Sequence, residues 1–303
     1  MAGKKVVVVA AINGGMQQDR EGARIPCTPA EIAEEAYRCH KAGAAVVHVH
    51  ARDENRRNSG DPKLYAEIIQ RIRDKCDILI QTTNGIGVRR DPKTGQLVWP
   101  TDEERLQLLK IQPRQDLFGI ATGSMDFYHP EGGYTQETPY VNSLELLKQT
   151  ILAVYGIGST VEYEVVEASA LHRLMRLAEQ GVFDKNASNI WLLHGGGFGA
   201  TPPLARNVIF SIDEGQRLFP NAKWGIVGTG HHQFPLGTLG VCMGCDTVRV
   251  GFEDNIYLPN GKAGEHNGQL VEAIVEIAGM FGREPASVAE AREVFGLSRR
   301  LAA

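Results

Sequence analysis

Val46-Val47-His48-Val49-His50-Ala51-Arg52-Asp53 reads as a buried strand that ends in polar residues. In an extended chain alternate side chains share a face, so His48 and His50 aim at one spot while Val47 and Val49 pack behind them. Only loop residues follow, Glu54-Asn55-Arg56-Arg57-Asn58-Ser59-Gly60. The imidazoles therefore stand at the C-terminal end of a strand, where parallel α/β folds keep their chemistry. Two converging histidines are half of a transition-metal site. The match is short, and a core strand with two hydrogen-bonded histidines reads the same way. The rest of the chain decides between these readings.

On either side, apolar runs alternate with amphipathic stretches. The pattern predicts strands at Lys5–Ile12, Val46–His50, Ile78–Thr82, Leu117–Ala121, Thr160–Val165, Ile190–His194, Lys223–Val227 and Thr247–Gly251. Their continuous apolar character suits strands covered on both faces. Helices are predicted between them. The first opens on the capping box Thr28-Pro29-Ala30-Glu31, and Gly43 stops it. Others start at Asp61-Pro62, at Thr101 with Glu104, and after Ser143. Further ones cover Ser169–Gln180, Ala205–Leu218, Leu236–Met243 and Asn267–Phe281. A last short helix covers Val288–Val294. Eight strand–helix units without a low-complexity linker predict one (β/α)8 TIM barrel over residues 1–303, with a short C-terminal helical extension. A doubly wound sheet would carry a Gly-rich dinucleotide fingerprint after its first strand, and Asn13-Gly14-Gly15-Met16 does not match one.

Composition narrows the partners. The chain holds 36 acidic against 32 basic residues with no long run of one sign, which argues against a nucleic-acid surface. No stretch approaches the ~18 apolar residues of a membrane span. Lys4-Lys5 before Val6–Ile12 mimics a signal peptide, yet the run stops at Asn13-Gly14-Gly15 with no cleavage-like site. Five scattered cysteines argue against a disulfide framework and for a reducing cytoplasm. The lone Cys242-Met-Gly-Cys245 is read as core packing rather than a redox or zinc pair.

Reactive side chains concentrate just after the strands. Asn13 and Gly14 follow the first, His48 and His50 the second, and Thr82, Thr83, Asn84 and Gly85 the third. Thr122, Gly123 and Ser124 follow the fourth, Glu164 and Glu167 the fifth. His194 precedes Gly195-Gly196-Gly197, His231-His232 follow the seventh strand, and Glu253-Asp254-Asn255 follow the eighth. In a barrel these positions ring one mouth, whereas the opposite ends show no such concentration. That asymmetry points to an enzyme. A catalytic zinc needs about three protein ligands, and His194, His231, His232, Glu253 and Asp254 are candidates to join His48 and His50. Arg249 lies within the last strand and needs a carboxylate, which Glu164 or Glu167 could supply; such a pair beside Asp254 would set that carboxylate's basicity. Gly195-Gly196-Gly197 would let backbone amides approach an anion.

At this point the chain resembles a family, the β-keto acid cleavage enzymes. The likeness runs from the first strand to Ala291-Arg292-Glu293-Val294-Phe295. It rests on His48-Val-His50-Ala-Arg52-Asp53, Gln81-Thr82-Thr83-Asn84-Gly85, Glu162-Tyr-Glu164-Val-Val-Glu167 and Val248-Arg249-Val-Gly-Phe-Glu253-Asp254-Asn255-Ile256. The resemblance implies a zinc-bearing barrel that converts a β-keto acid and acetyl-CoA to acetoacetate and a new acyl-CoA. It implies His48, His50 and Glu253 as metal ligands, although Co2+, Mn2+ or Fe2+ would suit the same ligand types. It implies Asp254 as the base, supported by Arg249 and Glu167, with Thr83, Gly85 and Ser124 against the keto acid, and a homotetramer.

Two positions depart from the lysine-fermentation member of that family. Its first loop carries a glutamate that meets the substrate amine, and the position here is Met16, whose thioether cannot pair with an ammonium. The expected substrate tail is uncharged or apolar, with Arg20 and Arg24 in the same loop leaving a second carboxylate in reserve. Asn84 replaces a threonine, with no predicted effect. The alternative reading is a zinc-dependent amidohydrolase-like enzyme. That family puts its His-x-His on the first strand and usually adds a lysine, and neither feature is present here. A third is a non-catalytic metal-binding barrel, against which the full set of ligands, base and supporting ion pair argues.

Overall fold

Along the chain the strands are β1 (Val7–Ala11), β2 (Val46–His48), β3 (Leu79–Thr83), β4 (Arg89–Arg90), β5 (Leu97–Val98), β6 (Leu117–Ala121), β7 (Met125–His129), β8 (Tyr134–Tyr140), β9 (Thr160–Val165), β10 (Ile190–Gly195), β11 (Lys223–Gly228) and β12 (Thr247–Val250). A computed structural model describes residues 3–297 apart from 16, 21, 92, 130–133, 188–189 and 198. Eight strands close into a parallel barrel in the order β1-β12-β11-β10-β9-β6-β3-β2. The helices are α1 (Pro29–Lys41), α2 (Pro62–Lys75), α3 (Asp102–Gln107), α4 (Leu144–Gly156), α5 (Ala168–Glu179), α6 (Ala205–Leu218), α7 (Gln233–Met243), α8 (Asn267–Met280) and α9 (Val288–Val294). The expected TIM barrel is the observed fold. No helix among the described residues is long and apolar enough to cross a membrane.

The side chains that face one another across the strands stack in layers. Near the N-terminal end, Val7, Val9, Val46, Leu79, Leu117 and Ile190 form an apolar plug with Ala291 and Phe295 of the C-terminal segment. The C-terminal helix therefore stoppers the lower mouth. Arg283 ties the chain leading into it, donating to the carbonyls of Lys4 (2.8 Å) and Val241 (3.0 Å). One layer up, the interior turns polar. The register sets His48 beside Gln81, Gly119 beside Glu162, and Ala121 beside Glu164. Arg249 joins them from β12, opposite Val9 and Val227. The division keeps water out below and confines chemistry to the upper mouth.

Two antiparallel ribbons, β4 with β5 and β7 with β8, lie outside the eight predicted strands. They project from the third and fourth βα connections. Cys242 lies in α7 and Cys245 just beyond it, a free, buried thiol that the Arg283 guanidinium contacts at 3.8 Å.

Candidate active site

His48 is positioned from behind. Its Nδ1–H donates to Gln81 Oε1 at 2.8 Å, and Gln81 Nε2 donates in turn to Glu162 Oε2 at 2.8 Å. The first bond fixes the tautomer and leaves the Nε2 lone pair free. Burial pushes the imidazole down to about 3, so it is neutral and ready to ligate. His50 lies just past β2. Its backbone N–H donates to Asn13 Oδ1 (2.9 Å), and Asn13 Nδ2 donates back to the His50 carbonyl (2.7 Å). This clamp brings His50 Nε2 to 3.1 Å from His48 Nε2.

Glu253 arrives from the opposite side of the seam between β1 and β12. Gly251 makes that possible. Its φ is +144°, and a Cβ there would lie 2.1 Å from the Ala11 carbonyl oxygen. The turn puts Glu253 N–H on Ala11 O at 3.0 Å and the Glu253 side chain over Gly14, where a Cβ would lie 2.6 Å from Glu253 Cγ. The carboxylate stands 3.4 Å from His48 Nε2 and 3.7 Å from His50 Nε2. Against the cost of burial, Arg249 holds it well below the usual carboxylate range. Ligand atoms of all three residues lie within 4.8 Å of one another.

Two features fit this trio to a cation. Glu253 Oε2 is buried without a hydrogen-bond partner. The two Nε2 atoms face one another although neither ring is charged at neutral pH. Two nitrogens and a carboxylate oxygen suit Zn2+ with an open position. His48, His50 and Glu253 would hold it. Because Gln81 orients His48, Gln81→Leu is expected to weaken zinc affinity by about 10–100-fold while the fold persists. Competition with a chromogenic chelator measures this, and an unchanged affinity would remove Gln81 from the role.

Arg249, buried on β12, is the electrostatic hub. Its Nε and Nη2 donate to the two Asp254 oxygens at 2.8 and 3.0 Å, Nη2 also meets Glu253 Oε1 at 2.6 Å, and Nη1 lies 3.9 Å from Glu164 Oε1. One cation faces three carboxyl groups. Burial raises Asp254 to about 6 and Glu164 to about 8, with Arg249 opposing both. Glu164 is thus protonated at neutral pH, while Asp254 is poised close to it.

These groups floor a cavity of about 350 Å3. Thr83, Gly85 and His194 line it with them; Thr83 Oγ1 accepts the Gly85 N–H at 3.0 Å. Burial pushes His194 down to about 3, and its Nε2 has no partner. Trp99 and Tyr140, brought by the two ribbons, meet at 4.2 Å with their rings tilted by 32°, and Arg105 braces Tyr140 from 5.0 Å while donating to its hydroxyl. His231 stacks on Tyr257 at 4.7 Å on the other wall, and Arg20 reaches the rim.

Several expected residues lie elsewhere. Glu167 is exposed beyond the end of β9 and accepts from Ser169 Oγ at 2.5 Å, so it does not reach Arg249. Glu162 and Glu164 share the inner face of β9, whereas the strand ends at Val165 and Glu167 stands at the start of α5. Ser124 is exposed and holds the Asn142 backbone N–H at 2.9 Å rather than facing the cavity. His232 is exposed and does not line it. Arg24 pairs with Glu31 at 2.7 Å. Met16 lies outside the described residues. Gln81 and the ribbon aromatics were missed as functional residues. Parity marks Gln81 as inward-facing.

The sequence profile of the beta-keto acid cleavage enzymes matches residues 5–297. A 3-keto-5-aminohexanoate cleavage enzyme of Fusobacterium nucleatum is 33% identical over 98% of this chain and 99% of its own. A 3,5-dioxohexanoate:acetyl-CoA acetone transferase of Paraburkholderia graminis is 30% identical over 97% and 96%. A 3-oxoadipate:acetyl-CoA acetyltransferase of Cupriavidus necator is 26% identical over 96% and 94%. Among solved structures, ObcA with oxaloacetate has the same fold, with a TM-score of 0.73 at 17% identity, covering 90% of this chain and 67% of that one.

Proposed function

Because the chain belongs to the β-keto acid cleavage enzyme family, we propose that it transfers an acyl group between a β-keto acid and acetyl-CoA, with Asp254 as base and His48, His50 and Glu253 as zinc ligands. One observation carries the reading. Three convergent ligand residues stand beside a carboxylate that a buried arginine grips with two hydrogen bonds, at the floor of one cavity.

The chemistry follows from these groups. Bound zinc supplies a Lewis acid for the β-keto oxygen. Asp254 removes the α-proton, and Arg249 keeps its oxygens aimed. The resulting enolate carbon attacks the acetyl carbonyl carbon, and the coenzyme A thiolate leaves. The thiolate then adds to the original β-carbonyl carbon, the bond between that carbon and the α-carbon breaks, and Asp254 returns its proton to the carbon of acetoacetate. The other product is the new acyl-CoA. Glu164, rather than Glu167, supports Arg249 in this scheme, because it alone of the two faces the guanidinium. Thr83 and Gly85 line the keto-acid site.

The substrate tail is proposed to be uncharged or apolar. Trp99, Tyr140, Val166 and Tyr257 on the cavity wall support that reading. Arg20 at the rim favours a second carboxylate as the alternative. The test is acetoacetate formation from acetyl-CoA and β-keto acids with amino, alkyl, hydroxyl and carboxyl ends, on zinc-loaded protein. Preference for the alkyl substrate is expected. Equal turnover of the amino and alkyl substrates would sink the tail assignment. No turnover across the panel would redirect the reading to a zinc hydrolase.

A further inference from the structure

Beside the cavity lies a larger hollow of about 1290 Å3, bounded by the loops after β1, β2 and β3. Gly15 and Gln17 line both spaces, so the two adjoin at the first loop. Resting on the reaction proposed above, we infer that this hollow takes the phosphorylated nucleotide end of the coenzyme A thioester, and that Arg57 and Arg90 meet its phosphates.

Size comes first. Small-ligand sites run to about 300–1,000 Å3. The 350 Å3 cavity holds a small keto acid and the reacting thioester, and the nucleotide must lie outside it. The adjoining hollow, at about 1290 Å3, is large enough for it.

Charge comes second. Five arginines line the hollow, Arg52, Arg56, Arg57, Arg89 and Arg90, against five acids, Asp19, Asp53, Asp61, Asp91 and Glu104, so what matters is which arginines are left unpaired. Three are engaged. Arg52 donates to the carbonyls of Gly14 (2.9 Å) and Gln17 (2.7 Å), Arg56 pairs with Asp19 (2.7 Å), and Arg89 pairs with Glu104 (2.7 Å). The acids near the remaining two already accept backbone N–H groups: Asp53 those of Asn55 and Arg57, Asp91 those of Lys93 and Thr94. Arg57 and Arg90 are exposed and have no carboxylate partner among the described residues; Arg90 donates to the Gly95 carbonyl at 2.6 Å.

Geometry comes third. Arg57 stands on the loop after β2 and Arg90 on the ribbon after β3, so they belong to two walls. Asn58 fastens those walls by donating to the Val88 carbonyl at 2.9 Å. Two guanidinium forks on a braced frame match phosphate oxygens in number and planarity.

The experiment is calorimetric titration of coenzyme A into zinc-loaded full-length protein, wild type against R57Q/R90Q, with melting temperature as the check on folding. The double variant is expected to raise Kd at least about tenfold, as loss of charge-assisted contacts does. Its salt dependence should also be shallower than that of wild type. A Kd within twofold of wild type would overturn the site, as would wild type that binds no coenzyme A. Acetoacetate formation, assayed separately, keeps the two readings apart. Turnover with unaltered affinity in the double variant removes the nucleotide site and leaves the reaction. Affinity that depends on both arginines without turnover of any keto acid removes the reaction and leaves the site.

Discussion

Asp254→Asn is expected to lower kcat by about 10²–10⁴-fold with zinc content unchanged. The substitution keeps the shape of the side chain and its burial. It removes the proton acceptor and turns one of two acceptor atoms facing Arg249 into a donor. The proposed ligands His48, His50 and Glu253 are untouched, so metal analysis should match wild type. Acetoacetate formation under saturating acetyl-CoA reads kcat, and elemental analysis reads zinc. A kcat within tenfold of wild type would remove Asp254 from the role of base. Loss of zinc instead would make Asp254 part of the metal site and leave the proton acceptor to be found. Glu164, at about 8, is mostly protonated at neutral pH and is a poor base there.

Arg249→Met should cost stability as well as turnover. The wild-type guanidinium is buried against Asp254, Glu253 and Glu164. Removing one partner of a buried ionic cluster leaves uncompensated charge, at about 3–5 kcal/mol. The penalty has a definite pH dependence. Without the cation, the Glu253 and Asp254 carboxyls titrate in the folded chain above their unfolded values of about 4.3 and 3.9. A carboxyl with a raised folded pKa gives its stability in full below the unfolded value, and that stability is lost as pH rises through the folded one. The variant should therefore approach wild type near pH 5 and fall furthest behind near pH 8. Urea unfolding of chelator-treated protein at both values measures it. A difference under 1 kcal/mol at pH 8 would show that the cluster tolerates the loss. Arg249→Lys keeps the charge but not the fork and should recover part of the stability without the two-point grip on Asp254.

Much of this molecule is written in local pattern. Period-two placement of His48 and His50, unbroken apolar strands and capped helices led to the barrel, because each feature depends on residues close together in the chain. The C-terminal rim was legible for the same reason: polar residues after every strand need only the strand ends to be known. Other features were set by the packed structure. The Arg249 partner had to be chosen between Glu164 and Glu167, and the inner-face parity of β9 chooses Glu164. Gln81 gains meaning only beside His48 across the β2–β3 register. The aromatic walls depend on ribbons whose strands pair outside the barrel, and a short two-stranded ribbon has too little periodicity to announce itself. Helix α9 was visible as a helix, but its place beneath the barrel follows from apolar surface that only the closed sheet creates. Local backbone preference and side-chain alternation act over a few residues and survive in sequence. Partnership between residues 33 or 81 positions apart, as for His48 with Gln81 and Gln81 with Glu162, exists only once the barrel has closed.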